Sequence, residues 1–252
     1  MNIPREIIRK TIDDLNGMAF GNSRLYSPKD KIFFEPRYFK IVSLLPEIKK
    51  DDIGLEIGLC GGILAFSLER IFFLDRLYTL EHPITCKQFT KKYLSALKRN
   101  GIILKQIDLH NDKLPWFSEF FNFVIFSDIL EHLVPADIPA VFKEINRVLK
   151  KNGWLFVTTP NISSLIKRIK LLFGKNPLEF DLRLHENATY GHIREYTMNE
   201  LISLLQSERF TIARKSYYTI DVKRNFFTRL EFICSKILPG FANSIGILAR
   251  KP

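Results

Sequence analysis

Ile53-Gly54-Leu55-Glu56-Ile57-Gly58-Leu59-Cys60-Gly61-Gly62 decides the fold. The first half is a short apolar run. The second half is a glycine-rich loop, and Ile63 and Leu64 then open an amphipathic stretch. Glycine lets a backbone pass tightly from strand to helix and come close to a ligand. The start of the helix also offers free N–H groups. A dinucleotide-binding fold would carry G-x-G-x-x-G at such a turn. The pattern here is G-x-x-G-G, so that fingerprint fails. Glu56 argues the same way, because a carboxylate inside the loop repels a phosphate and suits a ligand with an ammonium group.

Short apolar runs bounded by turn residues alternate with longer amphipathic stretches on both sides of this loop. They predict strands at 53–57, 77–80, 102–107, 121–126, 154–158, 210–213 and 244–249. Helices are predicted near 62–70, 84–99, 138–149 and 197–206, the last opening on a Thr197 cap with Glu200 three residues on. The run at 121–126 is the most apolar, which places it centrally. Such alternation means an α/β protein with a mostly parallel sheet covered on both faces. Ligands of such sheets bind beyond the carboxyl ends of the strands.

Composition narrows the class. The chain has 252 residues, 46% hydrophobic and 26% charged, which excludes a disordered chain and suits one large domain. Three scattered cysteines make neither a disulfide framework nor a cysteine zinc site. The first residues break their apolar positions with charges, so no signal peptide is expected, and no run approaches the length of a membrane span. The expectation is a cytoplasmic protein. Its net charge of +11 is uneven: residues 161–252 hold 15 basic and 8 acidic residues, a larger excess than the longer stretch before them. A basic excess suits either a solvated surface or a polyanionic partner.

Read in order, the strand ends resemble the motifs of class I S-adenosylmethionine-dependent methyltransferases of the type 11/12-like group. Glu56, Gly58 and Gly62 match the family's E/D-x-G-x-G-x-G, with Cys60 standing where the middle glycine usually lies. Glu81 ends the second strand, where the family's ribose-binding acid falls. Ile107-Asp108-Leu109, followed by Leu114-Pro115-Trp116, resembles the stretch that meets the adenine. Phe123-Val124-Ile125-Phe126-Ser127-Asp128-Ile129-Leu130-Glu131-His132-Leu133 is similar to the fourth-strand motif, with Asn122 in place of the usual Asp before it. Arg147-Val148-Leu149-Lys150-Lys151-Asn152-Gly153 resembles R-V-L-K-P-G-G, and Thr158-Thr159-Pro160-Asn161 leads away from the fifth strand. Gly191-His192-Ile193-Arg194-Glu195-Tyr196-Thr197 resembles G-H-x-R-x-F-T. The resemblance runs from about residue 36 to 215. It implies a Rossmann-like three-layer sandwich with strand order 3-2-1-4-5-7-6 and strand seven antiparallel. It also implies S-adenosylmethionine as cofactor, held by Glu56, Gly58, Cys60, Gly62, Glu81, Asp108, Leu109 and Ser127.

Methyl transfer from a sulfonium needs alignment above all, and a hydroxyl or amine acceptor also needs a base. His132 and His192 are the candidate catalytic groups. Asp128, Glu131, His185, Arg194 and Tyr196 are the candidate substrate contacts. On a helix, Asp128 and Glu131 would face the same way. Plainer readings stand beside these: Glu131-His132 packing beneath the donor, and Arg194 and Tyr196 packing at the start of the next helix. Asp128, Glu131, His132 and His192 also resemble the metal-binding set of small-RNA 2′-O-methyltransferases, in which oxygen and imidazole ligands suit Mg or Mn. A metal-independent enzyme is the default expectation.

Residues 1–50 are expected to form a helical cap, and 162–184 and 218–243 helical inserts on a single domain. Apolar and basic residues alternate at helical spacing near 164–173 and 224–238. Following strands five and six, both inserts are expected over the substrate side. The expected acceptor is a small-molecule, sugar or lipid-linked hydroxyl or amine, with peripheral contact to an anionic membrane as a further expectation. RNA is the lesser alternative, because no RNA-binding module or basic-aromatic signature is visible. A non-catalytic module that keeps the fold is the remaining one.

Overall fold

The computed structural model describes residues 4–20, 28–178, 191–220 and 225–252, without the side chains of 28–33. In chain order the elements are α1 (Arg5–Leu15), α2 (Pro28–Leu44), β1 (Gly54–Ile57), α3 (Ile63–Phe72), β2 (Leu77–Glu81), α4 (Pro83–Cys86), α5 (Lys91–Arg99), β3 (Ile102–Gln106) and β4 (Phe121–Ser127). A 3-10 turn at Leu130–His132 follows, then α6 (Ile138–Val148), β5 (Leu149–Pro160), α7 (Leu165–Leu172), α8 (Met198–Ser207), β6 (Thr211–Tyr218), α9 (Phe226–Ile237) and β7 (Ser244–Arg250). The strands form one sheet in the order β3-β2-β1-β4-β5-β7-β6. β1 pairs with β2 and β2 with β3 in parallel, whereas β6 and β7 run antiparallel with an irregularity between Ile212 and Arg214. This is the expected mostly parallel, helix-flanked arrangement.

The chain packs as two compact units. The first comprises Met1–Ile125 and Arg147–Trp154. Its helical start, α1 and α2, falls inside the expected cap, and Ile8, Ile12 and Leu15 of α1 are buried. Its strands are apolar because they are covered on both sides: all four residues of β1 are buried, as are Phe121, Phe123, Val124 and Ile125 of β4. Asn122 breaks that run and is fixed by its partners. Its Oδ1 accepts from Ile53 N at 3.0 Å and from Lys150 Nζ at 2.8 Å. Arg147 donates to the carbonyls of Trp116 at 2.7 Å and Leu114 at 2.9 Å, tying two of the quoted motifs together.

One predicted helix is two. Instead of running through 84–99, the chain leaves α4 and restarts at Thr90. The Thr90 hydroxyl oxygen accepts from Tyr93 N at 3.1 Å as the cap of α5, and its O–H donates to Met18 O at 2.5 Å. The break is thus imposed by a cap and by a contact some seventy residues away, neither of which helical periodicity registers.

The second unit comprises Phe126–Asn146 and Leu155–Pro252. Leu155, Phe156, Val157, Thr158 and Thr159 of β5 are all buried. The capping box predicted at Thr197 and Glu200 is formed in both directions. Asn161, fully buried, joins α7 to the turn before β7. Its Nδ2 donates to Gly240 O and Ala242 O, and its Oδ1 accepts from Ser163 N and Oγ.

Gly54 tests the packing of β1. A Cβ built there lies 2.1 Å from Cζ of Phe123, so the ring fills the space a side chain would need. Gly54→Ala is expected to destabilise the fold by about 1–3 kcal/mol through overpacking, read as a lower denaturant midpoint. A midpoint equal to that of the parent chain would show that the ring gives way freely.

Candidate functional site

The first unit gathers three loops at the carboxyl ends of β1, β2 and β3. Leu80 O accepts from both Gly58 N at 3.0 Å and Leu59 N at 3.2 Å, which pins the glycine loop to the neighbouring strand. Gly62 closes the loop in a left-handed conformation, φ +79°, and a Cβ there would sit 2.3 Å from the Tyr93 hydroxyl. Cys60 is also left-handed, φ 48°. It therefore adopts the backbone that a glycine would favour, at a cost of about 1–2 kcal/mol. Its N–H offsets part of that cost by donating to Glu81 Oε2 at 2.7 Å.

Glu81 is held at both oxygens, since Oε1 accepts from His82 N at 2.7 Å. Burial nonetheless outweighs these amides and pushes its carboxyl up. Glu56 is pushed up much further, first by burial and then by the charge of Glu81. Glu56 Oε2 and the Tyr93 hydroxyl are buried and have no hydrogen-bond partner. Asp108 is more open. Burial works against its charge, but the His110 amide and the Asn111 side chain outweigh that and hold its carboxyl below the usual range. His82, not singled out from the sequence, places Nε2 3.9 Å from Asp108 Oδ1. Leu109 lies half-buried beside it.

The second unit builds a different cluster. Asp128 does not lie on a helix with Glu131: it is left-handed, φ 54°, just before the 3-10 turn. Its Oδ2 accepts from Ser127 Oγ at 3.0 Å and Thr158 Oγ1 at 3.1 Å. Glu131, 1% exposed, accepts from Thr159 Oγ1 at 2.9 Å, while its main-chain carbonyl accepts from Ile193 N and Arg194 N. The rings of His132 and His192 meet edge to face, 5.1 Å between centroids. His132 Nδ1 bonds Gly191 O at 3.2 Å, and His192 Nδ1 bonds Glu195 Oε1 at 3.1 Å. A carbonyl and a carboxylate only accept, so both Nδ1 atoms carry the proton. Glu195 in turn pairs with the buried Lys167 of α7. Burial favours the neutral acid, but bonds from His192 and Lys167 prevail, and the Glu195 carboxyl lies below its ordinary range.

Glu131, His132 and His192 offer ligand atoms that all lie within 4.8 Å of one another; Asp128 is not part of that group. Arg194 pairs with Glu200 and lies over the Tyr196 ring, while Tyr196 is buried. His185 lies outside the described residues. Sequence reasoning passed over Lys167 and Glu195. The three-residue spacing of His192 and Glu195 was a signal for the second; nothing pointed to the first.

A family model described as a methyltransferase domain matches residues 33–214. The chain belongs to this family, the class I S-adenosylmethionine-dependent methyltransferases. Among curated proteins, no sequence matches it. Solved structures are similar in fold across nearly the whole chain. A candidate sarcosine dimethylglycine methyltransferase from Galdieria sulphuraria has a TM-score of 0.60 at 16% identity, covering 98% of both chains. An S-adenosylmethionine-dependent methyltransferase from Archaeoglobus fulgidus has 0.59 at 14% identity, covering 88% of this chain and 97% of its own. A Thermotoga maritima protein described as a candidate histamine N-methyltransferase has 0.56 at 17% identity, covering 98% and 99%.

S-adenosylmethionine is the cofactor of this methyltransferase, and the residues present fit it. The pair of buried carboxyls, one with an orphaned oxygen, suits a ligand that brings both cationic groups and hydroxyl donors, and it would repel a phosphate. The family resemblance assigns the ribose to Glu81 and the adenine to Asp108.

Two outcomes follow for the donor loop. Cys60→Gly is expected to raise the melting temperature by relieving the left-handed strain, with S-adenosylhomocysteine affinity retained. The Glu56 carboxyl sits above its ordinary value of 4.5 when folded. Below that value it is protonated in both states and costs nothing. Above it the ligand-free fold loses stability as pH rises, until the folded carboxyl itself ionises. Melting temperatures from acid to neutral pH should therefore shift in favour of Glu56→Gln over the parent chain, and parallel curves would contradict this.

Proposed function

We propose that this methyltransferase moves a methyl group to a hydroxyl or amine of a small-molecule, sugar or lipid-linked acceptor, with His192 as the general base. The supporting observation is the chain of buried charge behind His192. Lys167 holds Glu195, Glu195 fixes the proton on Nδ1 of His192, and Nε2 is left as the lone-pair nitrogen. When bound, S-adenosylmethionine supplies a methyl group already activated on a sulfonium. Glu56, Glu81 and Asp108 bind and orient it. His192 accepts the acceptor's proton at Nε2, and ionised Glu195 stabilises the imidazolium that results.

A second reading rests on the Glu131, His132 and His192 group: a divalent cation is held there and activates the acceptor oxygen. Imidazoles whose Nδ1 atoms are already committed to acceptors match the usual outer shell of a metal site. An RNA 2′-hydroxyl acceptor would go with this reading.

Calorimetry with S-adenosylhomocysteine should show binding that Glu81→Ala weakens at least about tenfold, the effect of losing one charge-assisted bond; a folded chain that binds nothing overturns the assignment. With an acceptor found by screening, His192→Ala and Glu195→Gln should each lower kcat by about 10²–10⁴ and leave S-adenosylhomocysteine affinity unchanged. Activity that survives a chelator supports the base; activity lost to the chelator and restored by Mn supports the metal.

A further inference from the structure

Two helices of the second unit are inverted. α7 and α9 each have one buried residue, and in both cases it is charged: Lys167 in α7 and Glu231 in α9. Each has an interior partner. Lys167 meets Glu195, and Glu231 accepts from Ile166 N at 3.1 Å, which holds α9 against the start of α7. Leu165, Ile166, Ile169 and Leu230 are half-buried, and the remaining large apolar residues face outward. Leu172 is 81% exposed and Phe173 71% at the end of α7; on α9 Phe226 is 73%, Ile233 58% and Ile237 77% exposed. Positions 226, 233 and 237 fall on one face of a helix. Arg229 and Lys236, both exposed, border that face, and Lys236 Nζ lies 4.5 Å from the Phe232 ring centroid.

Ordinary surface helices turn their apolar stripe inward. Apolar residues exposed this heavily on two touching helices mark a surface that meets something other than water. Charge says what. Residues 161–178 contain no acid at all, and 225–243 contain only the buried Glu231. The exposed charges of these segments, including Arg168, Lys175, Arg229 and Lys236, are all cations. A second copy of this surface would bring like charges together across a two-fold interface. An anionic bilayer supplies both the apolar interior and the opposite charge. No helix among the described residues is long and apolar enough to cross a membrane, so the contact would be interfacial.

We propose that α7 and α9 form a peripheral docking surface for an anionic lipid bilayer, with Phe226, Ile233 and Ile237 entering the headgroup boundary and Arg229 and Lys236 pairing with lipid phosphates. This stands independently of the donor assignment, because neither helix supplies a residue assigned to the donor.

Flotation of the full chain with vesicles tests it. Binding is expected to vesicles of equal parts phosphatidylcholine and phosphatidylglycerol, weaker in high salt, with little to phosphatidylcholine alone. Ile233→Ser with Ile237→Ser should weaken binding by about tenfold or more. Arg229→Glu with Lys236→Glu should weaken it by a similar factor. All four positions are exposed, so unchanged circular dichroism and S-adenosylhomocysteine affinity would show that the variants are folded and donor-competent. The proposal is overturned by absence of binding to the anionic vesicles. It is equally overturned by binding that neither pair of substitutions weakens, or by a dimer in solution that Ile233→Ser with Ile237→Ser dissociates.

Discussion

A buried carboxylate must be answered by donors or by a cation. Among the described residues five glutamates are buried: Glu56, Glu81, Glu131, Glu195 and Glu231. Much of the local structure consists of the answers. Two loop amides answer Glu81, and this shapes the turn that carries Cys60. A lysine and a histidine answer Glu195, and this draws α7 toward His192. The amide of Ile166 answers Glu231 and anchors α9. The Thr159 hydroxyl bonds Glu131 and ties the 3-10 turn to the end of β5. Glu56 differs in that one oxygen is left without any partner. In a protein whose other buried acids are so thoroughly engaged, that oxygen is where a ligand bringing a donor or a positive charge would complete the set.

The strand ends, their order and the family were legible in the sequence because they depend on local pattern. Apolar runs bounded by glycine, asparagine and proline mark buried strands, and acids at strand ends stand out against them. The capping box at Thr197 was legible for the same reason, since both partners lie within one turn. What escaped was set by residues far apart in the chain. Met18 and Thr90 split a helix that periodicity joined. Left-handed Cys60 depends on Glu81, and left-handed Asp128 removes it from the face it was expected to share with Glu131. Lys167 reads as one more surface cation until Glu195, twenty-eight residues on, takes it inside.

The two inserts show how little amphipathic spacing says about direction. The pattern in α7 and α9 correctly gives helices, and a helix with an apolar stripe is normally taken to cover a core. Here the interior is reached through charged side chains, and the stripe is turned out. Periodicity fixes which residues share a face; only the partners of Lys167 and Glu231 decide which face looks inward.

Asn161 adds a mechanical dimension. Its one side chain grips the start of α7 and the turn that leads from α9 into β7. Beside the Glu231 bond the two helices therefore share this second tie, which lies only two residues beyond Thr159 in the chain. Through Asn161 both helices are tied to the end of β5, whose Thr158 and Thr159 hydroxyls hold Asp128 and Glu131. The outward-facing helices and the carboxylates of Asp128 and Glu131 are in this way parts of one hydrogen-bonded framework.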